Sequence, residues 1–104
     1  MSLLPLDGSS NQFAISLTST VAVEVKDGAN PALEERKIIT ILPVDGHIYI
    51  YFGDGSTTPT ASDVKTKGFP HPKNAMRSYE ASHSQDVWIV SDTGTVDVRV
   101  AERA

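Results

Sequence analysis

A chain of 104 residues has the length of one domain, and at that length roughly 60–70% of the unfolded surface can be buried without staples. Cysteine is absent, which excludes a disulfide framework and thiolate metal or redox chemistry and fits a reducing compartment. Thirteen acidic against nine basic residues give a formal charge of −4 with no basic stripe, so nucleic-acid binding is disfavoured.

No apolar run approaches the ~20 residues needed to span a bilayer, so no membrane partner is expected. Met1 to Asp7 has neither a charged n-region nor a long apolar h-region and does not read as a signal peptide. Residues 1–11, with Pro5, Gly8, Ser9, Ser10 and Asn11, read as an arm, and residues 12–104 as a single domain. Leu3, Leu4 and Leu6 give the arm an apolar tip, which either packs on a neighbouring subunit or frays.

Gln12–Thr18 alternates Phe13, Ile15 and Leu17 with small or polar residues, and Thr20–Val25 alternates Val21, Val23 and Val25 in the same way. Both read as half-buried strands. Lys26–Pro31 reads as a loop, and Ala32–Arg36 as no more than one helical turn. Lys37–Leu42 is apolar on both faces through Ile38, Ile39, Ile41 and Leu42, the pattern of a central strand covered on both sides. Asp45-Gly46 is a hairpin signal. Beyond it Ile48, Ile50 and Phe52 point to one face, and His47, Tyr49 and Tyr51 to the other.

Gly53–Thr60 reads as an exposed turn, and Ala61–Lys67 as a weak edge strand whose lysines discourage further pairing. Gly68–Asn74, with Pro70 and Pro72, is expected to be irregular. Ala75–Glu80 and Asp86–Val90 read as strands, and Ser91–Gly94 as a second hairpin turn. It leads into Thr95–Ala101, where Val96, Val98 and Val100 alternate with Asp97 and Arg99. The sum is seven to eight short strands with turns every 8 to 12 residues. It predicts an all-β antiparallel sandwich, with jelly roll one of the Greek-key topologies open to it.

Catalytic patterns are missing. His47, His71 and His83 show no metal-ligand spacing, and Asp54-Gly55-Ser56 lacks the remaining oxygen ligands of a calcium loop. His83-Ser84 near Asp86 cannot form a triad from neighbouring positions, and Gly53-Asp54-Gly55 precedes no phosphate-cradling helix signal. The reading is a non-enzyme without cofactor. Trp88, among Val87, Ile89 and Val90, reads as core. Tyr49 and Tyr51 lie side by side, either under another layer or in a subunit contact.

Asn30-Pro31-Ala32 with Arg36 comes first in a longer series of motifs. Gly46-His47-Ile48-Tyr49-Ile50-Tyr51-Phe52-Gly53, Gly68-Phe69, Tyr79-Glu80, Asp86-Val87-Trp88-Ile89-Val90 and Gly94-Thr95-Val96-Asp97-Val98-Arg99-Val100 follow in order. The series resembles small β-sandwich structural proteins of tailed bacteriophages and prophages, over about residues 20–102. Pro72-Lys73-Asn74 and the Pro70-His71-Pro72 insert depart from the pattern of that loop.

The resemblance implies a virion component made in the host bacterial cytoplasm. It would be a capsid decoration or cement protein that binds the major capsid protein or other virion subunits as a homo-oligomer, with a trimer favoured. Leu3, Leu4, Leu6, Tyr49, Tyr51, Phe69 and His71 are the expected contact residues. The alternative is a tail-fibre-associated or carbohydrate- or receptor-binding module, with Tyr49, Tyr51 or Trp88 as a stacking platform.

Overall fold

The computed structural model describes residues 9–104. Period-two alternation becomes strand almost everywhere it was read. Strand β1 (Ser10–Leu17) points Phe13, Ile15 and Leu17 inward and starts earlier than the expected Gln12. Strand β2 is only Val23–Glu24, because the chain bends through Ser19–Val21. Val21 is consequently 59% exposed rather than packed. Strands β3 (Ile38–Pro43) and β4 (Ile48–Phe52) follow, then helix α1 (Ala61–Lys67). Strands β5 (Phe69–His71), β6 (Arg77–Glu80), β7 (Val87–Ser91) and β8 (Val96–Arg103) complete the chain.

Two four-stranded antiparallel sheets form, in the orders β1-β8-β3-β6 and β2-β7-β4-β5. The pairs β1–β8, β2–β7, β3–β6 and β4–β5 are those of one long hairpin rolled over on itself. The pairs β3–β8 and β4–β7 close the wrap. This is the eight-stranded jelly roll, so the expected all-β sandwich is what forms. Leu17, Ile39, Ile41, Ile48, Ile50 and Ile89 are fully buried between the sheets. Each such side chain contributes about 1.5–3 kcal/mol of transfer free energy.

Several local expectations are corrected. Asp45-Gly46 is not a hairpin turn, since β3 and β4 lie in different sheets. The segment crosses the sandwich, held where Val44 N–H donates to the Asp97 carbonyl (2.8 Å) and Asp97 N–H donates to Asp45 Oδ1 (2.9 Å). Ser91–Gly94 likewise carries β7 of one sheet into β8 of the other. Ala61–Lys67 is a helix. The Thr60 hydroxyl accepts from Asp63 N–H, and the Asp63 carboxylate accepts from Thr60 N–H, a reciprocal cap that starts the turn. Part of the expected irregular segment is β5. Proline is tolerated there because β5 is an edge strand, bonded to β4 alone.

Helix α1 packs against β4, β7 and β5, with Val64 buried. It covers the outer face of the second sheet, which is why the outward-pointing Val90 is fully buried. No described layer covers the outer face of the first sheet. The expectation that Lys37–Leu42 is covered on both sides is therefore corrected: Ile39 and Ile41 face the core, and Ile38 and Leu42 are half exposed.

Candidate functional site

The expected contact residues do not converge on one surface. Leu3, Leu4 and Leu6 lie outside the described residues. Tyr49 and Tyr51 point to the outer face of the second sheet and are half buried there. Phe69 is 64% exposed on edge strand β5. His71 is corrected from contact residue to internal strut. It is fully buried, its Nε2–H donates to the Ala75 carbonyl (2.6 Å) and its Nδ1 accepts from the Tyr79 hydroxyl (2.9 Å). Tyr79 in turn packs edge-on against Phe52, with ring centroids 5.8 Å apart. With both ring nitrogens engaged inside the chain, His71 has nothing to offer a partner.

Burial holds the His71 ring neutral and pulls its pKa below the ordinary 6.5. The folded pKa lies below the unfolded one, so this contribution is full above the unfolded value and is lost as pH falls through the folded one. We expect the urea midpoint to fall as the pH is lowered from about 8 to about 5. His71→Gln, which keeps one donor and one acceptor, should flatten that fall; an unchanged slope would remove His71 as its source.

The first of two candidate surfaces, and the one absent from the sequence reading, is the uncovered outer face of the first sheet. Cross-strand register places Gln12, Ala101, Thr40 and Ser78 in one row, and Ala14, Arg99 and Leu42 in the next. Small residues in the middle leave a shallow depression of about 550 Å³, walled by Leu42, Met76, Arg99 and Arg103. Met76 is 68% exposed. The signal was in the sequence, in the two-faced apolar pattern of Ile38 and Leu42, which is also the pattern of a strand with an outside contact.

The second surface surrounds Trp88, corrected from core to a half-buried, outward residue. Period two puts Val87 and Ile89 in the core and Trp88 on the opposite face. Glu24 and Tyr51 flank it across the ladder. The indole Nε1–H donates to Asp86 Oδ2 (2.7 Å), and Asp86 Oδ1 accepts from Gly55 N–H (2.9 Å). Gly53 makes this possible, because a Cβ there would run into the Asp86 carboxylate. Asp54 Oδ1 accepts from Ser56 N–H and Thr57 N–H (2.9 Å each), which fixes the turn above Trp88. Those bonds, the Ser56 one first, hold the Asp54 carboxyl below the usual carboxylate range. Trp88, Asp86, Glu24 and the Gly55–Thr58 turn enclose a cleft of about 180 Å³.

Arg36, which the sequence placed at the end of a single helical turn, is 2% exposed. Its Nε donates to the Ala81 carbonyl (3.0 Å), and Nη1 to the carbonyl of Val25 (3.3 Å) and to Glu102 Oε2 (3.0 Å). Nη2 donates to the carbonyls of Ser82 (3.0 Å) and Gln85 (2.9 Å). Glu102 Oε2 also accepts from Leu33 N–H (3.1 Å). All five guanidinium donors are satisfied, so the group ties loops together and is not poised for chemistry. Glu35, held at φ 59°, turns the chain so that Arg36 enters.

Among the described residues no three His, Asp or Glu side chains form a group that could hold a metal. No described helix is long and apolar enough to cross a membrane.

No family model matches the chain, and no curated protein matches it. Among solved structures, the coat protein of tobacco streak virus, solved as a dimer, is similar with a TM-score of 0.42 and 13% identity. The match covers 99% of this chain and 91% of that one.

Proposed function

We propose that the chain is a non-enzymatic structural protein of a tailed-phage virion, a decoration or cement subunit that grips the capsid and assembles as a homotrimer. The observation that carries this reading is the uncovered outer face of the first sheet, where Leu42 and the exposed Met76 border the depression. An exposed apolar patch rimmed by charge is the mark of a contact surface. The Arg99 and Arg103 rim suits a capsid surface with apolar centre and acidic border. The order of sequence motifs, similar to that of phage sandwich proteins, points the same way. A subunit of this kind needs a rigid small fold and repeated contacts, which multiply through effective concentration.

The test is co-sedimentation with capsids that lack the protein, alongside light scattering across a dilution series. We expect a trimer in solution, and a loss of particle retention of about ten-fold or more in Met76→Glu with an unchanged unfolding midpoint. Full retention by Met76→Glu would sink the role of this face. A second reading, a glycan-binding module, is favoured by the outward position of Trp88 beside a polar turn.

A further inference from the structure

We propose that the cleft over Trp88 is a binding site for one neutral sugar ring. A pyranose presents an apolar C–H face and a rim of hydroxyls, so its site needs an aromatic plane together with hydrogen-bond acceptors and donors. Trp88 supplies the plane, with Tyr51 beside it in register. The indole is already fixed by its bond to Asp86 (2.7 Å), so binding does not have to order it.

Asp86 positions and Glu24 binds. Both oxygens of Asp86 are engaged, one by the indole and one by Gly55 N–H. Among the described residues the Glu24 carboxylate has one loose contact, to Lys26 at 3.6 Å, and its side chain is 30% exposed at the cleft wall, where it can accept from sugar hydroxyls. Thr57 and Thr58 line the facing wall, on a turn that Asp54 holds rigid. No lysine or arginine lines the cleft, and two carboxylates do, so acidic sugars and phosphates are disfavoured. At about 180 Å³ the cleft is smaller than the ~300–1,000 Å³ of pockets for larger ligands and offers seating for one ring.

Trp88 is the sole tryptophan, so its emission reports on this cleft directly. The whole chain is titrated with the methyl glycosides of glucose, galactose, mannose and N-acetylglucosamine, and with glucuronate as the acidic control. Saturation-transfer NMR on the same mixtures is the second readout. We expect a saturable change with at least one neutral glycoside, with half-saturation at about 1–10 mM. Glu24→Gln should weaken it by about five-fold or more while leaving the unfolding midpoint unchanged. Glucuronate should bind more weakly than the best neutral sugar. Silence in both readouts, binding untouched by Glu24→Gln, or a preference for glucuronate would each overturn the proposal. It rests on the second, glycan-binding reading and names its site and sugar class; the capsid reading is decided separately, by Met76 and the particle, not by the sugar titration.

Discussion

Arg36→Met should lower stability by about 3–5 kcal/mol, measured as a fall in the urea midpoint at constant slope. The size follows from what remains behind. Glu102 would be buried and charged, with one oxygen, Oε1, that already has no hydrogen-bond partner among the described residues. Four carbonyls, of Val25, Ala81, Ser82 and Gln85, would also lose their donor. Adding Glu102→Met should recover the charge part of the loss and not the carbonyl part. The double-mutant cycle should therefore give a coupling of at least about 1 kcal/mol between the two sites. Strict additivity would show that the ion pair is not a unit. Because the loops tied by Arg36 are exposed elsewhere, their protection from amide exchange should drop before that of the strands.

Gly68→Ala should cost about 1–3 kcal/mol in the same assay. Gly68 has an ordinary extended backbone, so conformational freedom is not the reason. A Cβ at this position would press on the carbonyl oxygens of Val64 and Ile50, both main-chain atoms that cannot swing away. Gly68 N–H also closes the last turn of α1 on Val64 (2.9 Å), so any shift that relieves the clash pulls the helix off the sheet. An unchanged midpoint would mean that α1 floats on the sheet and is not seated.

The strands were legible because period two survives in β1, β4 and β8, where one face is core and the other is not. Their partners were not legible. Asp45-Gly46 and Ser91–Gly94 have the chemistry of reversal, and a reversal within a sheet looks the same in sequence as a step across to the facing sheet. Helix α1 has one buried residue, Val64, too few for a 3.6-residue pattern. Its signal was the Thr60–Asp63 spacing of a capping box. Trp88 reads as core from its apolar neighbours, but period two, with Val87 and Ile89 in the core, sends it to the opposite face. Arg36 and Glu102 stand 66 positions apart, so only the folded chain brings them together.

The most C-terminal of the described strands occupies an inner place: β8 lies between β1 and β3, and β1 has no other neighbour among the described strands of its sheet. A chain emerged only as far as β7 can assemble the β2-β7-β4-β5 sheet. Its other sheet is then in two pieces, β1 alone and β3 with β6, and Arg36 still awaits Glu102. The core face of the finished half stays open to water until β8 arrives. Closure then joins residues as distant as Ser10 and Arg103, the long-range pairing that places folding in the slow, millisecond-to-second class. For this protein the hazardous interval comes before β8 emerges, when exposed isoleucines of neighbouring nascent chains can meet.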